Sequence, residues 1–192
     1  MQNFATQLQT TPLIASVKTE ADMEVALQSP CRIVFLLFGE ISTIPDLVQR
    51  ASSAGKNVFV NLDMVDGLAP RASAARFIKD QTAASGILTS KVAVCRAASE
   101  IGLTAILRFF MIDSFAYSQV AQQSASAKAD AVEILPGCIP RVIRWMKADV
   151  SLPIIAGGLV CDMRDVTEAL NAGASAIATS SADLWAVAPP AE

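Results

Sequence analysis

The chain contains no histidine, and its four cysteines are scattered at positions 31, 95, 138 and 161. Without histidine it cannot carry a Ser-His or Cys-His nucleophilic pair, or a metal site that is built on imidazole. The cysteines show no C-x-x-C spacing, so a zinc site is not indicated and we expect free thiols. We therefore expect neither a metal nor a cofactor.

Long apolar runs are also absent. The longest, Ile33 to Phe38, has the length of a strand and falls far short of the roughly eighteen residues that span a bilayer. The first residues lack the basic start and apolar stretch of a signal peptide, so we expect a cytoplasmic protein with no membrane partner. The net charge of −3 and the pI near 5.0 argue against a general nucleic-acid-binding surface.

The residues that are present alternate between two patterns, which predicts a compact (β/α)₈ TIM barrel. We expect one domain over residues 1–192, and an open, doubly wound sheet is the alternative. The predicted strands are Leu13–Val17, Ile33–Phe38, Val58–Leu62, Gly86–Thr89, Ala105–Phe109, Ala131–Leu135, Ile154–Ala156 and Ala176–Ala178. The predicted helices are Thr19–Gln28, Pro45–Ala54, Ser73–Gln81, Val92–Ile101, Phe115–Ser126, Ile139–Lys147, Met163–Asn171 and Ala182–Val187.

The last two predicted strands each end in small residues. Pro153-Ile-Ile-Ala-Gly-Gly-Leu159 ends its strand on two glycines, and Ala176-Ile-Ala-Thr-Ser-Ser181 ends its strand on hydroxyls. Barrels of this class commonly bind a phosphate after strands 7 and 8, where backbone N–H groups are accessible. The expected phosphate ligands are Gly157, Gly158, Thr179, Ser180 and Ser181. Tight turns that bind no ligand are the alternative.

Other polar residues follow the predicted strands and should meet at the same mouth of the barrel. We expect Lys91 or Arg108 to neutralise a phosphate, and Asp63 or Glu133 to accept hydrogen bonds from ligand hydroxyls. Asp63 could instead cap a turn. Arg108 and Glu133 could instead form a structural ion pair, because each lies in an apolar strand where an unpaired charge is costly. Lys18 also follows a strand.

Several blocks resemble the glycerol-3-phosphate-responsive antiterminators, from about Leu13 to Trp185. The similar blocks are Phe35-Leu-Leu-Phe-Gly39, Phe59-Val-Asn-Leu-Asp-Met-Val-Asp-Gly-Leu68, Gly86-Ile-Leu-Thr-Ser90, Asp130-Ala-Val-Glu-Ile-Leu-Pro-Gly137 and Pro153-Ile-Ile-Ala-Gly-Gly-Leu159. The resemblance implies a barrel that senses glycerol 3-phosphate and acts on the leader mRNA of glycerol-utilisation genes. Asn61 stands where the family commonly has histidine, a change that bears on contacts with ligand hydroxyls.

No RNA-recognition signature accompanies this resemblance. Arg141 and Arg144 lie at helical spacing and are the candidate RNA-binding residues, with a solvated helix surface as the alternative. Trp145 and Trp185 fall on predicted helices, and we expect both to be packing residues. Whether the chain forms a homo-oligomer is left open.

The alternative function is an enzyme that acts on a small phosphorylated substrate, such as an aldolase, isomerase or transferase. A Schiff-base aldolase needs a lysine at a strand end, for which Lys91 and Lys18 are the candidates. An isomerase or a metal-dependent transferase would need a matched acid/base pair or a cluster of carboxylates for magnesium. Asp63 and Glu133 are the candidates, but no second acid lies near either in a suitable spacing. The full-length resemblance favours a regulatory protein without catalytic residues.

Overall fold

The computed structural model describes residues 4–187 and contains eight strands and nine helices within that range. The strands are β1 (Leu13–Val17), β2 (Ile33–Leu36), β3 (Asn57–Asn61), β4 (Gly86–Thr89), β5 (Thr104–Phe110), β6 (Ala131–Leu135), β7 (Ile154–Gly157) and β8 (Ala176–Thr179). The helices are α1 (Phe4–Thr10), α2 (Glu20–Gln28), α3 (Ile44–Ser53), α4 (Ala72–Gln81), α5 (Val92–Glu100), α6 (Ser114–Ala127), α7 (Pro140–Asp149), α8 (Met163–Asn171) and α9 (Ala182–Trp185).

The strands form a closed barrel in chain order, and every neighbouring pair is parallel. β8 pairs with β1, which closes the sheet and confirms the predicted (β/α)₈ fold over the open alternative. A helix follows each strand and covers the outside of the barrel, so most strand residues are buried on both faces. This burial explains why the strands are nearly continuous apolar runs.

The first helix, α1, is the one described element that the sequence analysis does not predict. Its Leu8 side chain is fully buried in the same interior cluster as the inward residues of the strands. The Phe4 ring packs on the Phe59 ring with centroids 5.0 Å apart, and Asn57 Nδ2 donates to Gln7 Oε1 at 3.2 Å. Because Asn57 begins β3, α1 covers the N-terminal end of the barrel.

The inward side chains form layers, each contributed by alternate strands. The register shifts by one residue from strand to strand, which defines the members of each layer. The apolar middle layer consists of Ile14, Phe59, Ile106 and Ile155. The next layer toward the C-terminal ends consists of Phe35, Leu88, Glu133 and Ala178, and the one above it of Ser16, Asn61, Arg108 and Gly157. The interior thus becomes polar toward the C-terminal mouth.

Candidate ligand-binding site

A cavity of about 560 Å³ opens at the C-terminal mouth, above the polar layer. Most of its walls come from the ends of β1, β5, β6, β7 and β8 and from the loops that follow them, and Leu37 after β2 and Met64 after β3 complete the lining. Its size lies within the range of small-molecule pockets. The lining residues with charged or hydroxyl side chains are Ser16, Lys18, Arg108, Glu133, Thr179, Ser180 and Ser181.

Lys18 places a positive charge at this cavity. It is the single residue between the end of β1 and Thr19, whose hydroxyl caps α2 by accepting a hydrogen bond from the Asp22 N–H. The Lys18 N–H itself donates to Asp22 Oδ2 at 3.0 Å, and Lys18 Nζ donates to Ser180 Oγ at 3.0 Å. The ammonium therefore lies where the ends of β1 and β8 meet. The sequence places Lys18 at a strand end but indicates Lys91 or Arg108 as the residue that neutralises a phosphate.

Arg108 and Glu133 form an ion pair at the wall of the cavity. They are register partners on β5 and β6, and Arg108 Nε lies 2.6 Å from Glu133 Oε2, with side chains 9% and 2% exposed. Burial raises the pKa of the Glu133 carboxyl, and the adjacent Arg108 guanidinium counteracts that rise. A Cβ atom at Gly157 would lie 2.6 Å from Glu133 Oε1, so the absence of a side chain at Gly157 makes room for this carboxylate.

The two turns after β7 and β8 are tied to each other by Thr179. The Thr179 hydroxyl is buried and donates to Val160 O at 2.9 Å, while it accepts from the Ser181 N–H at 3.1 Å. Gly158, with a φ of +71°, lines the cavity together with Thr179, Ser180 and Ser181, whereas Gly157 lies beneath it against Glu133. A phosphate would compete with Thr179 for the Ser181 amide, but the Ser180 side chain faces the Lys18 ammonium.

Asp63 and Lys91 lie outside the set of residues that line the cavity. Asp63 accepts hydrogen bonds from Thr89 Oγ1 and the Ser90 N–H, both at 2.6 Å, and so ties the end of β3 to the end of β4. Lys91 is exposed, and its N–H donates to Thr89 Oγ1 at 3.1 Å at the start of α5. The structure therefore brings together Arg108, Glu133 and the residues after β7 and β8 at the cavity, whereas Asp63 and Lys91 do not line it.

Asn61 has a buried donor that no described residue satisfies. Its Oδ1 accepts from the Asp63 N–H at 3.0 Å, but Nδ2 has no hydrogen-bond partner in residues 4–187. Asn61 belongs to the same inward layer as Ser16 and Arg108, which line the cavity. A buried donor without a partner is costly, so this amide is suited to a polar group that enters from the mouth.

The candidate RNA-binding residues Arg141 and Arg144 do not line the cavity and lie on the exposed side of α7. The Arg141 guanidinium carbon lies 4.7 Å from the centroid of the Trp145 ring. Trp145 meets the Tyr117 ring edge-on but is 45% exposed, so it packs less completely than expected, whereas Trp185 is fully buried as expected. The indole N–H of Trp185 donates to Thr179 O at 2.8 Å, which anchors the end of β8.

The described part of the chain offers no group of three or more cysteines, aspartates and glutamates that could hold a metal ion. In the same range, no helix is long and apolar enough to cross a membrane. Cys31 and Cys95 are buried, and Cys161 is exposed at the rim of the cavity.

Comparison with known proteins places the whole barrel within one group. The model of the glycerol-3-phosphate responsive antiterminator family matches residues 13–185. The uncharacterised protein YgcP of Escherichia coli (strain K12) is 37% identical over 181 residues, which cover 94% of this chain and 95% of that protein.

Solved structures agree with this grouping. The glycerol uptake operon antiterminator regulatory protein of Listeria monocytogenes has a TM-score of 0.87 at 31% identity, covering 90% of this chain and 94% of that one. A glycerol uptake operon antiterminator-related protein of Thermotoga maritima has a TM-score of 0.82 at 33% identity, covering 93% and 99%. Deoxyribose phosphate aldolase of Aeropyrum pernix, at 17% identity, covers 94% and 90% with a TM-score of 0.70 and shares only the fold.

Proposed function

Because the chain belongs to the glycerol-3-phosphate responsive antiterminator family, we propose that it binds glycerol 3-phosphate in the mouth cavity. In the bound state it acts on the leader mRNA of glycerol-utilisation genes and prevents premature termination of transcription. The observation that carries the proposal is the pairing of an ammonium with a hydroxyl at the β1–β8 closure, beside a polar layer that suits a polyol.

The phosphate group is proposed to lie at the β1–β8 end of the cavity. Lys18 Nζ and Ser180 Oγ are already 3.0 Å apart, so a phosphate oxygen can replace or bridge this contact with little movement of the chain. Hydrogen bonds between an ammonium and a phosphate are roughly twice as strong as those between neutral groups. Gly158 permits a close approach from the β7 side because it has no side chain.

The glycerol hydroxyls are proposed to face the polar layer. Glu133 can accept a hydrogen bond from a hydroxyl and Arg108 can donate one, while the unpartnered Asn61 Nδ2 supplies a further donor. Asn61→Leu should therefore reduce the preference for glycerol 3-phosphate over 3-hydroxypropyl phosphate, which lacks the middle hydroxyl. Titration calorimetry with both ligands measures this preference, and an undiminished preference would remove Asn61 from the proposed contacts.

Ligand binding is tested by a thermal-shift and calorimetry panel of glycerol 3-phosphate, glycerol and inorganic phosphate. At a hundred times its dissociation constant, a ligand that binds only the folded state adds about 2.7 kcal/mol to the free energy of unfolding. Glycerol 3-phosphate should give the largest shift, because it alone contacts both ends of the cavity. Tighter binding of glycerol than of its phosphate ester would contradict the proposal.

The regulatory step is tested by in vitro transcription through the leader of a glycerol-utilisation operon from the source genome. Addition of the protein with glycerol 3-phosphate should increase read-through at the terminator, and either component alone should not. Terminator read-through that is unchanged by protein and effector together would contradict antitermination, even if the effector binds. Borohydride treatment with dihydroxyacetone phosphate should leave Lys18 unmodified, whereas a trapped adduct would favour an aldolase.

A further inference from the structure

The surface between α6 and α7 exposes part of an aromatic side chain. Trp145 on α7 is 45% exposed. Tyr117 joins the two helices, because its ring meets Trp145 edge-on at 5.8 Å and its hydroxyl donates to Asp149 Oδ2. We call the surface formed by Arg141, Arg144 and Trp145, beside Tyr117, the α6–α7 face.

Positive charge on this face is not neutralised by the protein. α6 contains no charged residue, and α7 carries three basic residues and one acid, Asp149, which accepts the hydrogen bond of Tyr117. Arg141 and Arg144 form no ion pair within residues 4–187, unlike Arg50, Arg108 and Arg164. In a chain of net charge −3, this local excess of cations favours a polyanionic partner.

The geometry of the face suits unpaired bases. The Arg141 guanidinium lies over the Trp145 ring at 4.7 Å, so a planar cation and a planar aromatic group are held together at the surface. Bases of single-stranded RNA stack on aromatic rings and guanidinium planes, whereas duplex RNA keeps its bases inside the helix. Arg144, one turn along α7, can contact the phosphates that connect stacked bases.

We propose that the α6–α7 face binds single-stranded leader RNA by stacking a base on Trp145 and pairing phosphates with Arg141 and Arg144. This inference rests on the proposed function, which requires RNA contact but does not say where it occurs. It extends the basic pair that the sequence indicates to an aromatic surface that the structure reveals.

The face is also connected to the effector cavity. Leu135 lines the cavity at the end of β6, and the segment that follows it leads directly into α7. Within that segment the Gly137 N–H donates to Gly157 O at 2.6 Å and to Gly158 O at 2.9 Å, so the connection packs against the end of β7. An effector that contacts Gly158 therefore adjoins the segment that positions Arg141, and we expect effector and RNA to strengthen each other's binding.

The test measures fluorescence anisotropy of the labelled leader transcript with full-length protein, with and without glycerol 3-phosphate. Trp145→Leu keeps an apolar side chain but removes the ring, and should weaken RNA binding about tenfold or more, while Trp145→Phe should retain most of the affinity. Arg144→Glu should weaken binding and lower the salt slope by about 0.7 for a lost single-strand phosphate contact. Arg76→Glu, an exposed arginine on α4, is the matched control and should bind as the wild type does.

The outcomes separate this inference from the proposed function. If the wild type fails to bind the transcript with or without effector, both the proposed antitermination and the proposed RNA-binding surface are contradicted. If the wild type binds and Trp145→Leu binds equally well, only the α6–α7 face is ruled out. If the face variants leave RNA binding intact but convert a dimer to a monomer in size-exclusion chromatography, the face is an interface between copies and the RNA assignment is overturned.

Discussion

Lys18→Met should be the substitution at the cavity that most reduces binding of glycerol 3-phosphate while sparing the fold. The Lys18 ammonium lies 3.0 Å from Ser180 Oγ at the proposed phosphate position. A hydrogen bond to a charged group contributes about 1.5–3 kcal/mol, which corresponds to about a ten- to hundredfold loss of affinity. Lys18 is exposed, so the free energy of unfolding without ligand should change by less than about 0.5 kcal/mol.

Titration calorimetry at two salt concentrations, paired with urea unfolding, separates loss of binding from loss of stability. Lys91→Met is the matched control, because Lys91 is also an exposed lysine that follows a strand but does not line the cavity. Lys91→Met should bind the effector as the wild type does. Ser180→Ala should weaken binding less than Lys18→Met does, because it removes a hydroxyl and keeps the positive charge.

The comparison of the two lysines can refute the reasoning in a single experiment. An equal or larger loss of affinity in Lys91→Met than in Lys18→Met would place the phosphate on the β3–β4 side of the mouth. It would also favour Lys91, one of the two residues that the sequence indicated for neutralising the phosphate. Unchanged affinity in both variants would show that the phosphate depends on backbone N–H groups instead.

Three further predictions concern other parts of the cavity. Gly158→Val forces a branched side chain into a φ of +71° and should weaken effector binding at least tenfold, about 1.4 kcal/mol, and calorimetry that shows wild-type affinity would contradict this placement. Arg108→Met should lower the free energy of unfolding, measured by urea denaturation, by about 3–5 kcal/mol because it leaves the buried Glu133 unpaired. The double variant Arg108→Met/Glu133→Leu should recover much of this loss. Equal losses in the single and double variants would argue against a costly buried charge. Iodoacetamide should modify the exposed Cys161 before the other cysteines, and bound effector should slow that modification. The buried Cys95, whose pKa is raised to about 12, should stay unmodified. Mass spectrometry that finds no protection of Cys161 would place the effector elsewhere.

The barrel could be predicted from sequence because its strands are short apolar runs separated by clear helix and turn signals. The helix α1 was missed because its seven residues carry no charge and include few apolar side chains, which gives too short a pattern. Its stability comes from Leu8 and Phe4 packing against the interior of the barrel, a long-range contact that no local pattern reveals.

The candidate site lies at the C-terminal mouth that the sequence indicates, but the sequence does not show which residues contact each other there. Lys18 and Lys91 each follow a strand by one or two residues, so their spacing could not show which of them lies at the cavity. The pairing of β1 with β8 shows it, because it brings Lys18 next to the residues that follow β8. The β1–β8 pairing follows from the predicted closed barrel, so the proximity of Lys18 to Ser180 can be inferred from the fold but not from the local sequence around either residue. Trp145 was misjudged because Ile143 and Met146 occupy the buried side of α7 and leave the indole outside.

The pairing of Lys18 with Ser180 joins residues that are 162 positions apart, near the two ends of the 192-residue chain. During synthesis the ammonium emerges from the ribosome early, but its partner strand is made almost last. Until β8 has emerged, β1 and β7 are open sheet edges and the proposed phosphate position does not exist. A nascent chain that lacks β8 therefore cannot form the proposed phosphate position, so this position is completed only when nearly all of the 192 residues have been synthesised.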